Sequence, residues 1–177
     1  DKVKKILNCG ADKVLINSNL KLKLLQEISK NYGQQSIIAS VDYKKINGKY
    51  RVFIKNSSVQ LKTSLKDYIL KLNNFPIGEI ILNSIDQDGT GNGLDFEIIK
   101  SIPKNIKKSI ILSGGCGNVI HLSEGLSNKS IDAVSTANLL NFIGDGLKKA
   151  REDMLINNFK LPIWDVKIIH MLKNKFK

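Results

Sequence analysis

The run Ile77–Leu82 is mostly apolar and too short for a helix, and it leads directly into S-I-D-Q-D-G-T at 84–90 and the glycine-spaced turn G-N-G at 91–93. A short apolar run that ends in aspartates and then glycines has the pattern of a buried parallel strand that delivers acid groups to its carboxyl end. The pattern recurs. Ser36–Val41 ends in Asp42, and Ser109–Leu112 runs into S-G-G-C-G at 113–117. Three strands that each end in chemically useful residues point to an α/β enzyme with its active site on one face of a parallel sheet.

The rest of the chain alternates strands with helices. Lys2–Asn8 has the character of a helix end stopped by Gly10, followed by a short strand over Lys13–Ile16. Leu20–Tyr32 places Leu20, Leu24, Leu25 and Ile28 on one helical face and closes at Gly33. After the strand Ser36–Asp42 comes a polar excursion, Tyr43–Lys62, in which Asn47-Gly48 predicts a hairpin between Tyr43–Ile46 and Tyr50–Ile54. Thr63 or Ser64 starts a helix over Leu65–Asn73. Strand Glu79–Ser84 precedes a helix Asp95–Ser101, which stops before Pro103. Strand Ser109–Leu112 precedes helix Val119–Leu126, and strand Ala133–Thr136 precedes helix Gly146–Asn157.

This gives five βα units in a single domain over residues 1–177, beginning within a unit. A closed (β/α)8 TIM barrel has eight units and about 250 residues, whereas an open flavodoxin-like sheet needs only five strands. Candidate site residues fall at nearly every strand end, not at one switch point. The expectation is therefore a barrel of which these are the last five units, 4–8, with the first three outside this sequence.

Composition narrows the function classes. A chain of 177 residues buries about 70% of its unfolded surface as one domain. With 42% hydrophobic residues and no long apolar run, no membrane-spanning helix is expected. Asp1–Lys5 is charged, so no signal peptide is read there. Cys9 and Cys116 imply no disulfide framework, which fits a cytoplasmic location. The formal charge of +12 comes from 28 basic and 16 acidic residues, yet Arg51 and Arg151 are the only arginines. Bidentate readers of bases and phosphates are nearly absent, so lysine-rich solvated faces are expected and nucleic acid is not a predicted partner. A positive field also steers an anionic substrate.

G-A-D-K-V-L-I-N-S at 10–18, V-D at 41–42, G-E-I-I-L-N-S-I-D-Q-D-G-T at 78–90 and S-G-G-C-G at 113–117 occur in an order and spacing that resembles one family. It is the cyclase subunit of imidazole glycerol phosphate synthase, the ribulose-phosphate-binding type of barrel that partners a glutamine amidotransferase in histidine biosynthesis. The resemblance runs from about Lys2 to Phe142. It implies a lyase-type cyclase that uses ammonia from the partner to cleave and cyclise a bis-phosphorylated ribulosyl-formimino substrate, in a heterodimer, with no cofactor and no metal.

The resemblance also implies roles for residues. Asp42 corresponds to one of two general acid–base aspartates, the other being in the absent first strand, and Asp88 assists from the D-G-T motif. Proton removal and return on opposite sides of a substrate is the work such a pair does. Asn17 and Ser18 match one phosphate site; Gly89, Gly115, Cys116, Ala137 and Asn138 match the other, where glycines and helix N-termini suit phosphate oxygens. Lys13 and Glu79 correspond to a charged gate for ammonia at the opposite end of the barrel, with Asp12 beside them at the docking surface. The alternative reading of Asp42 is a strand-end cap or turn residue before the hairpin, and that of Lys13 with Glu79 a bottom-face salt bridge.

The chain departs from the family pattern at several positions. Asn83 stands where a threonine is usual and Asn138 where a serine is. I-K-N-S-S at 54–58 replaces a T-x-G-G-like loop, and Tyr68 lies near an expected tryptophan. These changes resemble a paralogous branch whose ammonia goes to amide or amidine formation in surface-polysaccharide sugars. A non-catalytic scaffold that only conducts ammonia is a further alternative, and it would not need Asp42.

Overall fold

A computed structural model describes residues 2–18, 20–137, 139 and 146–161. Seven strands form one sheet: β1 (Val14–Ile16), β2 (Ile37–Ile46), β3 (Lys49–Ile54), β4 (Val59–Ser64), β5 (Glu79–Ser84), β6 (Ser109–Ser113) and β7 (Ala133–Ser135). Five of them, β1, β2, β5, β6 and β7, are parallel, and they lie side by side in chain order. An open doubly wound sheet reverses its strand order at a switch point. No reversal occurs among these strands, so the sheet is an arc of a (β/α)8 barrel.

Alternation along each strand sorts side chains onto two faces. Ile37, Ala39, Val41 and Tyr43 of β2, Ile80 and Leu82 of β5, and Ile110 and Leu112 of β6 are buried on the outer face. They pack there with Leu25 and Ile28 of α2 (Leu22–Tyr32) and with Leu65, Ile69 and Leu72 of α3 (Leu65–Asn73). The inner face is arranged in layers by the parallel register. Asp42, Asn83, Ser113 and Ser135 are successive partners across four strands at the carboxyl end. One layer below, Ser40, Ile81, Ile111 and Ala133 are successive partners. Leu15, also inward by alternation, is 54% exposed on this concave face.

Remaining elements follow the predicted pattern, with four corrections. Helix α1 (Lys2–Asn8) is as expected, and Gly10 beyond it has φ +100°. Helix α2 begins at Leu22, not Leu20, and Gly33 ends it at φ +80°. Strand β2 does not stop at Asp42 but continues to Ile46. The predicted hairpin is present, with Ile46 opposite Lys49 and positive φ at both Asn47 and Gly48 (+48° and +73°), the geometry of a type I′ turn. The polar excursion beyond it is a third antiparallel strand, β4, paired to β3. Its alternation was obscured because most of its side chains face water. The segment expected to be helix Asp95–Ser101 is a 3₁₀ helix, Phe96–Ser101, capped by Asp95 Oδ1, which accepts from the Glu97 N–H at 3.2 Å. Helices α4 (Val119–Ser127) and α5 (Gly146–Ile156) complete the described elements.

The hairpin is fastened to the barrel wall by polar anchors. Asp86 Oδ2 accepts from the Lys45 N–H at 2.9 Å, and its other oxygen lies 3.5 Å from Lys44 Nζ. Tyr43 and Tyr50 meet edge to face with centroids 5.5 Å apart, and the Tyr50 hydroxyl donates to Asp95 Oδ1 at 3.1 Å. One of the two aspartates that made S-I-D-Q-D-G-T conspicuous therefore ties the hairpin down.

Candidate functional site

Asp42 is at the centre of the carboxyl-end layer because β2 lies between β1 and β5, and each neighbour brings an amide beside it. Asn17, immediately after β1, donates from Nδ2 to Asp42 Oδ2 at 2.9 Å and to Ser40 Oγ at 3.3 Å. Asn83 on β5 donates from Nδ2 to Asp42 Oδ1 at 3.3 Å. Both carboxylate oxygens thus accept a hydrogen bond, and the group is half-buried at the mouth of the concave face. Ser18 Oγ donates to Asn17 Oδ1 at 2.7 Å and accepts from the Lys55 N–H at 2.6 Å. Lys55, Asn56 and Ser57, between β3 and β4, all have φ between +54° and +62°, a left-handed turn that brings this N–H over β1.

Asn17 and Ser18 are therefore adjacent to Asp42, but the Asn17 side chain is turned to the carboxylate and Ser40. Asn83 and Ser40 were absent from the sequence-level site. Their signal was available in the alternation: Ser40 and Asp42 are two residues apart on one face, and Asn83 follows Glu79 and Ile81 on the inward face of β5.

The second predicted cluster forms where two glycine loops meet. The Gly93 N–H donates to the Gly115 carbonyl at 2.8 Å. A Cβ on Gly115 would fall 2.1 Å from the Gly93 oxygen, and one on Gly117 would fall 2.7 Å from Gly91 Cα. These glycines are required by the close approach of the two loops. The Gly117 N–H is engaged by His121 Nδ1 at 3.2 Å. The N–H groups of Gly89, Gly115 and Cys116 make no hydrogen bond within the described residues, and Gly89 borders open space. Cys116 is buried, which pushes its thiol up from the ordinary range, and its carbonyl accepts from Thr136 Oγ1 at 2.8 Å. That bond ties the loop to the end of β7, next to exposed Ala137. Asn138 lies outside the described residues. Asp88 is exposed at the carboxyl end of β5, and within the described residues no hydrogen bond joins it to Asp42.

At the amino end of the strands, Lys13 Nζ pairs with Glu79 across β2. Lys13 is exposed and Glu79 half-buried, with Asp12 exposed beside them. The inner face therefore has an ion pair at one end, an Ile81–Ile111–Ala133 band in the middle and the Asp42 layer at the other.

A family model described as histidine biosynthesis protein matches residues 1–143. The chain belongs to this family. Among curated relatives, one provisionally named imidazole glycerol phosphate synthase subunit hisF2, from Parasynechococcus marenigrum, is 45% identical over 145 residues. That alignment covers 81% of this chain and 54% of the relative. Imidazole glycerol phosphate synthase subunits HisF of Chlorobaculum parvum and Leptospira biflexa are 33% and 34% identical, over 81% and 86% of this chain and 58% and 61% of theirs. The chain thus spans somewhat over half the length of the relatives it matches. In this histidine biosynthesis family member the carboxyl-end layer and the glycine loops lie on one barrel face. Among the described residues no helix is long and apolar enough to cross a membrane, and no cluster of residues suited to a metal is formed.

Proposed function

We propose that this chain supplies units 4–8 of a cyclase-type subunit of imidazole glycerol phosphate synthase, acting as a lyase on a bis-phosphorylated ribulosyl-formimino substrate with ammonia from a glutamine amidotransferase partner. The observation that carries this reading is the polarity of the inner face. An ion pair, Lys13–Glu79, marks the amino end, an apolar band follows, and a hydrogen-bonded carboxylate, Asp42, stands at the carboxyl end. In this reading ammonia enters past the ion pair and reaches the substrate beside Asp42. Asp42 takes or returns a proton on one side of the substrate, and the aspartate of the first barrel strand serves the other side. The N–H groups of Gly89, Gly115 and Cys116, unbonded among the described residues, hold one phosphate; Asn17 and Ser18, through backbone amides, border the other, with Ala137 and Asn138 continuing the first site.

The test uses the full-length protein with free ammonium, so that no partner is needed. Asp42→Asn is expected to lower kcat by about 10²–10⁴-fold, with KM little changed because the phosphates dominate binding. A loss smaller than about tenfold would remove Asp42 from the chemistry. A second reading, ammonia delivery for amidation of a surface-polysaccharide sugar, rests on the departures from the family pattern, Asn83 in the position of a usual threonine among them. Full-length protein that stimulates its glutaminase partner yet shows no ammonium-dependent cyclase turnover would select it.

A further inference from the structure

Asn83 and Asp42 are direct partners in the parallel register of β2 and β5. Neighbouring strands lie about 4.8 Å apart, and the two side chains have the same length, so their heads rise side by side and meet at 3.3 Å. On the other flank Asn17 makes the matching contact at 2.9 Å. The orientation of that second amide is decided by its neighbours. Ser18 Oγ accepts from the Lys55 N–H and donates its own proton to Asn17 Oδ1, and Asn17 Nδ2 then faces the carboxylate. A flipped amide would set oxygen against oxygen at Asp42.

We propose that Asn83 is a positioning residue for Asp42, and that with Asn17 it forms a two-amide clamp that fixes the carboxylate in one rotamer. A carboxylate has about four acceptor sites. The clamp engages one on each oxygen and leaves the others to the mouth of the barrel, where the substrate lies. A threonine at position 83 would place its hydroxyl one bond nearer its own backbone, whereas the asparagine Nδ2 reaches Asp42 Oδ1. Strand pairing does not depend on Asn83, because the β2–β5 ladder is made by the backbone and Asn83 is only half-buried on the inner face. The role as positioning residue for catalysis rests on the cyclase reading above; the clamp itself does not.

The experiment has one arm for each. In the full-length protein, the side-chain amide ¹H–¹⁵N resonances of Asn17 and Asn83 are followed in the parent, in Asp42→Ala and in Asn83→Leu. Both amides should shift in Asp42→Ala, and Asn17 should shift in Asn83→Leu as the carboxylate loosens. Unmoved resonances in Asp42→Ala overturn the clamp. In the kinetic arm, Asn83→Leu should lower ammonium-dependent kcat about 10–100-fold, the range expected for one hydrogen bond to a charged group, with KM within about twofold. Asn83→Thr should recover most of the loss. A change confined to KM, or an unchanged kcat, overturns the positioning role. Asn83→Ala carries the same test if the leucine variant does not fold. A parent with no cyclase turnover but with the expected amide shifts overturns the cyclase reading and leaves the clamp standing.

Discussion

Gly115→Ala and Gly89→Ala make a matched pair that separates loop packing from anion approach. Both glycines have left-handed backbones, with φ +89° and +79°. An alanine at either position meets a similar conformational penalty of about 1–2 kcal/mol. The surroundings differ. The new methyl at Gly89 points into open space, whereas at Gly115 it lies 2.1 Å from the Gly93 carbonyl oxygen and 2.9 Å from Gln87 Cβ. The loops must separate by about an ångström or more to reach ordinary contact. Overpacking of this kind costs about 1–3 kcal/mol, and the Gly93 N–H to Gly115 carbonyl bond, worth about 1 kcal/mol, is lost with it. Gly115→Ala should therefore be about 2–4 kcal/mol less stable than Gly89→Ala. At a urea m-value of about 2 kcal/mol per molar, that is a midpoint difference of about 1–2 M in phosphate-free buffer. If Gly115 were needed only to let an anion approach, the two variants would unfold together without phosphate. Midpoints within about 0.3 M of one another would refute the packing argument.

The core should also be sensitive to alkali through Tyr43. Burial first, and then the nearby Asp95 charge, raise its folded pKa well above the ordinary phenol value of about 10. The unfolded chain loses this proton first, so the stabilisation is complete below about pH 10 and declines as pH rises beyond it. Tyr43→Phe should flatten the fall in urea midpoint between about pH 9 and 11, and an equally steep fall in the variant would assign the effect elsewhere. Ser64 Oγ accepts from the Asp67 N–H at 3.1 Å at the start of α3 and donates to Asp67 Oδ2 at 2.6 Å. Ser64→Ala should destabilise by about 1 kcal/mol, measured by urea unfolding, and a midpoint equal to the parent's would show that the cap is replaceable.

Local chemistry was enough to place most elements. The Asn47-Gly48 pair carries the two positive φ values a type I′ turn demands, and β5 occupies the interval Glu79–Ser84 predicted from apolar residues followed by aspartates. Asp42 was legible as the acid of this strand, although β2 runs on past it to Ile46. The failures have physical causes. Phe96–Ser101 is six residues long, buries only Ile98 fully and winds as a 3₁₀ helix, a form used in short pieces. β4 exists because β3 offers a free edge, which no pattern within 59–64 announces.

Sequence by itself determined which residues carry charge, amide or hydroxyl, and on which face of its strand each must stand, because side-chain alternation is fixed by the pleat. Tertiary structure decided which of them meet. Asn17, Asp42 and Asn83 are separated by 25 and 41 residues along the chain and become neighbours only because parallel register aligns three strands. It also gave two aspartates of one motif different surroundings, since Asp86 lies within reach of the Lys45 N–H whereas Asp88 faces solvent. Gly115 and Gly117, compatible in sequence with phosphate binding, are held to glycine by the loop at 91–93, whose distance no local pattern encodes.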